Sequence, residues 1–169
     1  LRGQSLTGAF WLGMVSGLSC FCVLLYWIVY VTTVFGGMPL ILGIGAMLLL
    51  AGYLSLYRGL WALGLNWGET RGLSPLWWGP VLWVALEMGQ TYIISGFPWE
   101  LLGNGLYRFP ILLQITDLTG VYGLSFIIVF INVSLFLALS PSVRKSSRLG
   151  PVLALTPLLA LWLGYGYYR

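Results

Sequence analysis

The amino-acid sequence predicts an all-α membrane protein, built as a bundle of about five transmembrane helices. Hydrophobic residues make up 59% of the 169 residues. Charged residues make up only 7%, whereas about 25% is usual in a soluble domain. The apolar residues also fall into five long runs, each close to the ~20 residues that a bilayer core requires. Together these observations exclude a soluble enzyme, a disordered chain and a nucleic-acid-binding protein.

The five runs are predicted as spanning helices over residues 9–31, 40–63, 73–95, 120–139 and 149–168. Each run is apolar nearly all round, as is typical of a helix surrounded by lipid. Short turns separate them at residues 32–39, 66–72 and 140–148. The connection over residues 96–119 is longer and rich in aromatic and aliphatic residues. Such a segment is expected to lie in the membrane interface.

The distribution of Lys and Arg predicts which helix ends face the cytoplasm. One side of the five-helix arrangement carries Arg2, Arg58, Arg71, Arg144, Lys145 and Arg148. The other side carries Arg108 and Arg169. Because basic residues are enriched on the cytoplasmic side, the N-terminus is expected in the cytoplasm. The 96–119 loop and the C-terminal end are then expected to face outward.

The composition removes most of the usual catalytic and metal-binding chemistry. The sequence has no His, which excludes Ser-His and Cys-His nucleophile arrangements. Cys20 and Cys22 lie in an apolar run, roughly 200° apart around a helix, so they cannot share a metal ion. The single Lys, Lys145, lies in a predicted cytoplasmic loop. No phosphate-binding loop or metal-ligand spacing occurs, so neither a cofactor nor a metal is expected.

Glu87 is the residue that most strongly suggests function. It lies about 21 Å into the third predicted helix, where a carboxylate costs several kcal/mol. Gln90 follows three residues later on the same helix face and could hydrogen-bond to it. Two interpretations stay open: a functional carboxylate, or a structural Glu that ties helices together.

The third predicted helix ends in Gly96, Phe97, Pro98 and Trp99. Pro98 stops the helix, Gly96 permits a sharp bend, and the two aromatic rings suit the membrane interface. A functional turn is one interpretation, and an aromatic belt without further function is the other.

Small residues mark the expected helix contacts. Gly13 and Gly17 are four residues apart on the first predicted helix, a spacing typical of close helix packing. Gly120 and Gly123 open the fourth predicted helix and are expected to pack tightly there. Asn132, in the middle of that helix, is expected to hydrogen-bond to a neighbouring helix.

An ordered set of short motifs resembles the membrane region of the apolipoprotein N-acyltransferases. The first motifs are Tyr26-Trp27, residues 35–39 (FGGMP) and residues 53–57 (YLSLY). The next are Trp83, Glu87, Gly96-Phe97-Pro98-Trp99 and Leu102-Gly103. The last are Gln114, residues 120–126 (GVYGLSF) and Asn132. No single motif is decisive, and the order of the set, from about residue 8 to residue 139, carries the resemblance.

The chain departs from the family pattern at two places. The family usually has Arg three residues after the Glu, where this chain has Gln90. It also usually continues Leu-Gly with an aromatic residue, Ser and Gln, where this chain has Asn104, Gly105 and Leu106. If the Glu–Arg pair or that Gln of the family touches substrate, this chain is expected to handle the substrate differently.

The resemblance implies a multi-pass protein of the bacterial inner membrane. It implies a periplasmic, nitrilase-like domain with a Glu-Lys-Cys triad, which takes an acyl chain from a phospholipid as a thioester. The acceptor is the amino group of the diacylglyceryl-cysteine at the front of an apolipoprotein, and the other implied partners are membrane lipids.

The chain is then expected to be a fragment, residues 1–169, of the N-terminal transmembrane domain. The triad has no place in it, so the chain alone should be inactive. Its expected task is to anchor the catalytic domain and to help form the lipid access path. The candidate residues for that path are Glu87, Gln90, Gly96, Phe97, Pro98, Trp99 and Gln114.

Two other functions compete with this interpretation. The first is a non-catalytic membrane scaffold or lipid-binding protein that keeps the helices without the hydrolase domain. The second is a small transporter component, which would need polar residues along a path. The few polar residues inside the predicted helices make the transporter the weaker alternative.

Overall fold

The computed structural model describes residues 3–93, 96–140 and 149–169. Every regular element in these residues is helical, and no strand occurs among them. The chain divides into two compact units, Leu1–Arg71 and Gly72–Arg169, which are described separately. Arg2, the basic residues Arg144, Lys145 and Arg148, and the expected end of the third helix at Ser95 lie outside the described residues.

The first unit begins with helix α1, Leu6–Leu24. Ser5 caps it, because its Oγ accepts a hydrogen bond from the N–H of Gly8 at 3.0 Å. The sequence predicts one helix over residues 9–31, but the structure interrupts it at Leu25, and helix α2, Tyr26–Tyr30, follows. A π-helical turn, Val31–Phe35, continues it. The hydroxyls of Thr32 and Thr33 bond back to helix carbonyls at 2.8 and 2.7 Å, as Thr often does where a helix is irregular.

Helix α3, Leu40–Thr70, runs two turns beyond its predicted end at residue 63. The polar extension is held at Asn66, whose Nδ2 donates to the Gln4 carbonyl at 2.9 Å. Counting Arg58 with the cytoplasmic side requires it to lie near the end of its helix, but Arg58 lies about 18 Å before the end of α3. Its guanidinium stacks 5.3 Å from the centroid of the Phe21 ring. The remaining basic residues still favour a cytoplasmic N-terminus, and this orientation stays a prediction.

Helices α1 and α3 pack through glycines. A Cβ added at Gly13 would lie 2.6 Å from the carbonyl oxygen of Arg58 and 2.9 Å from the Cα of Gly59. A Cβ at Gly17 would lie 3.0 Å from the Cβ of Arg58. Only glycine lets the two backbones approach this closely.

The second unit contains helix α4, Pro75–Tyr92, helix α5, Pro110–Leu113, helix α6, Thr116–Leu139, and helix α7, Leu149–Tyr168. Two 3-10 turns, Pro98–Glu100 and Leu102–Leu106, lie between α4 and α5. Helix α6 packs against both α4 and α7. Two apolar clusters form at these contacts, one around Phe130 of α6 and one that joins Leu124 of α6 with Trp162 of α7.

The start of α6 differs from the prediction. The helix begins at Thr116, four residues before the predicted start, and it kinks at Gly120, where φ is 63° and ψ is −174°. Glycine adopts this left-handed φ without the steric penalty of a Cβ. A Cβ at Gly120 would meet nothing within 4 Å, so this residue bends the helix and does not make the expected packing contact.

Three described helices, α1, α3 and α6, are long and apolar enough to cross a membrane. Together with the all-helical described residues, they confirm the predicted fold class, an all-α membrane protein. The count of five spanning helices and the side of the membrane on which each end lies stay predictions.

Candidate functional site

Glu87 lies in α4 and is only 5% exposed. Its Oε1 accepts a hydrogen bond from the backbone N–H of Leu102 at 2.7 Å. Its Oε2 is also buried and has no hydrogen-bond partner among the described residues. A buried carboxylate is costly unless it is bonded, so the contact with Leu102 is the interaction that explains its position.

Gln90 lies one turn further along α4 and is equally buried, at 5% exposure. Its side-chain Nε2 donates to the carbonyl of Phe97 at 3.2 Å. Its own carbonyl accepts from the N–H of Phe97 at 3.0 Å. The described bonds of Gln90 therefore go to Phe97, and not to Glu87 as the sequence suggested.

Gly96 turns the chain at the end of α4, with φ at 74°. A Cβ on Gly96 would collide with the carbonyl oxygen of Thr91, so glycine is required for both conformation and space. Pro98 then opens the 3-10 turn Pro98–Glu100. The rings of Phe97 and Trp99 pack with their centroids 5.5 Å apart, and Trp99 is 67% exposed.

Ser125, on α6, bonds to the chain that follows the Pro98–Glu100 turn. Its Oγ accepts from the N–H of Gly103 at 2.9 Å, and the residue is fully buried. A Cβ on Gly103 would lie 2.5 Å from the carbonyl oxygen of Val121, so the segment lies directly on α6. Residues 96–103, called the aromatic segment below, are thus bonded to α4 at Phe97 and Leu102 and to α6 at Gly103. This role of Ser125 is not indicated by the sequence, where Ser125 is only one position of the 120–126 motif (GVYGLSF).

The other candidate residues lie apart from these bonds. Gln114 donates to the carbonyl of Pro110 at 3.1 Å. Asn132 is exposed, and its Nδ2 donates to the Ile128 carbonyl of its own helix at 2.8 Å, not to a neighbouring helix. Gly123 lies against the side chain of Thr119 in the same helix. The structure therefore gathers Glu87, Gln90 and the Gly96–Trp99 residues in one place and leaves Gln114 and Asn132 outside it.

A second polar cluster joins α6 to the end of α7. Arg169 Nη2 lies 2.8 Å from Asp117 Oδ2, and the Tyr165 hydroxyl donates to the same oxygen at 2.8 Å. The hydrogen bond to Asp117 raises the pKa of Arg169 above its ordinary value. An open apolar groove of about 410 Å³ lies beside this cluster, lined by Ile115, Ala160, Leu161, Gly164, Tyr165 and Tyr168. Neither feature is indicated by the sequence pattern.

The aromatic segment can position and bind, but its bonds supply no nucleophile. Its backbone groups are held by Glu87, Gln90 and Ser125, and the Trp99 ring is exposed beside them. Among the described residues, no group of three or more His, Cys, Asp or Glu could hold a metal ion. Cys20 and Cys22 are free thiols in α1.

These features define the class: a helical membrane protein with an irregular, aromatic-rich segment fixed by buried polar side chains. The sequence profile described as "Apolipoprotein N-acyltransferase N-terminal domain" matches residues 1–134. The chain therefore belongs to the apolipoprotein N-acyltransferase family.

Several relatives carry the name "Apolipoprotein N-acyltransferase". The protein of Geobacter metallireducens is 43% identical over 164 residues, covering 95% of this chain and 32% of the relative. The protein of Shewanella oneidensis is 34% identical over 148 residues, covering 85% and 28%. The protein of Allorhizobium ampelinum is 31% identical over 171 residues, covering 98% and 31%. The chain thus spans about a third of the length of these relatives.

Proposed function

We propose that this chain is the membrane part of an apolipoprotein N-acyltransferase of the bacterial inner membrane. It anchors a periplasmic catalytic domain and helps form the path by which lipids reach that domain. The observation that carries the proposal is the family match over residues 1–134, which includes Glu87 and the aromatic segment. Three helices suited to a membrane support the anchoring part.

The proposed reaction has two steps. A Cys thiolate of the catalytic domain attacks an acyl ester of a phospholipid, forming a thioester and releasing a lysophospholipid. The α-amino group of a diacylglyceryl-cysteine then attacks the thioester, forming an amide and returning the thiol. We place the Glu-Lys-Cys triad outside this chain, because Cys20 and Cys22 lie within α1 and the single Lys is Lys145.

The aromatic segment is the proposed contact with lipid. Trp99 is 67% exposed, and an indole combines a large apolar surface with one polar N–H, which suits the boundary between acyl chains and headgroups. Phe97 packs against it and widens the apolar surface. Glu87 is buried behind this surface and holds its backbone in place by accepting a hydrogen bond from Leu102.

The first experiment is to read the open reading frame on both sides of this segment. The proposal expects it to continue beyond Arg169 into a hydrolase domain with Glu, Lys and Cys in triad order. A stop codon directly after Arg169 would instead favour a non-catalytic scaffold or lipid-binding protein.

The second experiment measures acyl transfer by the complete protein in membranes. Trp99→Ala should lower kcat/KM on the order of tenfold, because an exposed aromatic contact with substrate is lost. Trp11→Ala is the matched control, since Trp11 is 58% exposed but lies in α1. The lipid-access role would be refuted if both Trp99→Ala and Glu87→Ala left acyl transfer and membrane assembly unchanged.

A further inference from the structure

Two consecutive backbone amides of the aromatic segment bond to different helices. The N–H of Leu102 donates to Glu87 of α4, and the N–H of Gly103 donates to Ser125 of α6. Both acceptor residues are buried, so water does not replace either bond easily. The dipeptide Leu102-Gly103 therefore acts as a link between α4 and α6.

The other end of the aromatic segment is held as well. Phe97 makes two hydrogen bonds with Gln90, one to its side chain and one to its backbone. The 3-10 turn that carries Trp99 lies between these two attachment points. A turn held at both ends has little freedom to move as a lid.

We propose that Glu87 and Ser125 are positioning residues that hold the aromatic segment rigid, so that the Trp99 indole meets lipid in one fixed orientation. This inference rests on the proposed function for its biological meaning, but its physical claim stands on the two bonds to Leu102 and Gly103. Glu87 acts as a hydrogen-bond acceptor for the backbone, and neither its charge nor a contact with substrate is needed. Ser125 acts in the same way from α6.

A spin label at residue 105 tests the physical claim. Gly105→Cys is suitable, because a Cβ at Gly105 meets nothing within 4 Å. Cys20→Ala and Cys22→Ala remove the thiols of this chain, and every other Cys of the complete protein, including the proposed catalytic one, is replaced by Ser in the labelled protein. In the complete protein in phospholipid nanodiscs, Ser125→Ala should increase the nitroxide mobility at residue 105. Ser134→Ala is the matched control, since Ser134 is also buried on α6 but its described side-chain bond goes to the Phe130 carbonyl of its own helix. Equal mobility in both variants would overturn the role of Ser125.

Two substitutions of Glu87 distinguish its role as a hydrogen-bond acceptor from a role of its charge. Glu87→Gln keeps an oxygen that can accept from Leu102, so it should leave the nitroxide mobility close to that of the unsubstituted protein. Glu87→Leu removes the acceptor and should raise the mobility as Ser125→Ala does. If Glu87→Gln loosens the segment as much as Glu87→Leu, the carboxylate itself matters and the inference is wrong.

Acyl-transfer kinetics give the functional readout. Ser125→Ala and Glu87→Leu should raise the KM for phospholipid on the order of tenfold while kcat changes less, because lipid binding and not the chemical step is affected. Glu87→Gln, which keeps the acceptor, should leave the KM for phospholipid close to that of the unsubstituted protein. A mobility change without any acyl transfer in the unsubstituted protein would refute the proposed function alone. An unchanged mobility with normal acyl transfer would refute this inference alone.

Discussion

The α1–α3 helix pair and the aromatic segment differ in what holds them in place. In the helix pair, backbone groups bond within each helix, so the contact needs only small residues such as Gly13 and Gly17. In the aromatic segment the backbone leaves the helix, and its N–H groups bond to Glu87 and Ser125. Unpaired backbone groups are costly away from water. The comparison shows that buried polar residues in α4 and α6 serve the irregular backbone beside them.

Gly13→Leu should have the largest effect, because it forces the helix pair apart. A Cβ at this position already lies 2.6 Å from the Arg58 carbonyl oxygen, so the backbones must move. We expect a loss of about 3 kcal/mol of stability, at the upper end for an overpacked contact. Thermal unfolding of the detergent-solubilised chain, followed by circular dichroism, measures it.

Gly45→Leu is the control for that prediction. It makes the same change in α3, at a position where a Cβ meets nothing within 4 Å. It should leave the unfolding temperature nearly unchanged. Equal losses in the two variants would mean that the leucine, and not the close contact, is responsible.

Gly96→Ala should cause the next largest loss of stability. It tests the aromatic segment, whereas Gly13→Leu tests the helix pair. The methyl group collides with the Thr91 carbonyl, and φ of 74° is unfavourable for alanine. We expect a loss of about 2 kcal/mol. Gly105→Ala is the control, because residue 105 has open space. A stable Gly96→Ala protein with an unchanged aromatic segment would contradict the described turn.

The features that the sequence predicted well depend on local spacing. Apolar runs of about 20 residues predicted the all-helical membrane fold. The four-residue spacing of Gly13 and Gly17 directs attention to a helix face that does lie against α3. A local pattern of this kind can be read from neighbouring residues alone.

The features that the sequence did not predict depend on residues that lie far apart along the chain. Ser125 meets Gly103, which lies 22 residues away, and Tyr165 meets Asp117, which lies 48 residues away. Gly120 shows the reverse problem, because glycine suits both close packing and a left-handed bend. Only the backbone path decides between those two roles, and here the glycine bends α6.

Gln90→Met should have a smaller effect, because it removes one bond from the aromatic segment. The change keeps the side-chain length but loses the donor to the Phe97 carbonyl. We expect a loss of about 1 kcal/mol in thermal unfolding. Gln114→Met is the control, since Gln114 bonds to Pro110 at an exposed site where water can replace it. An effect of Gln114→Met as large as that of Gln90→Met would show that the buried bond has no special weight.

Glu100→Gln, a substitution at the surface of the aromatic segment, should have the smallest effect on stability. Partial burial raises the pKa of the Glu100 carboxyl above the ordinary value of 4.5. Its protonated form is therefore favoured in the folded state, and its contribution to stability is fully present below about pH 4.5. That contribution is lost as the pH rises through the folded pKa.

Glu100→Gln removes this titration, so the difference in unfolding temperature between the two proteins should change between pH 4 and pH 7. The unsubstituted protein should lose more stability over this range, by a small amount because Glu100 is only half-buried. The remaining titrating groups are common to both proteins and cancel in the difference. A difference that stayed constant with pH would mean that the carboxyl is fully hydrated, and that the Pro98–Glu100 turn lies further from the helices than described.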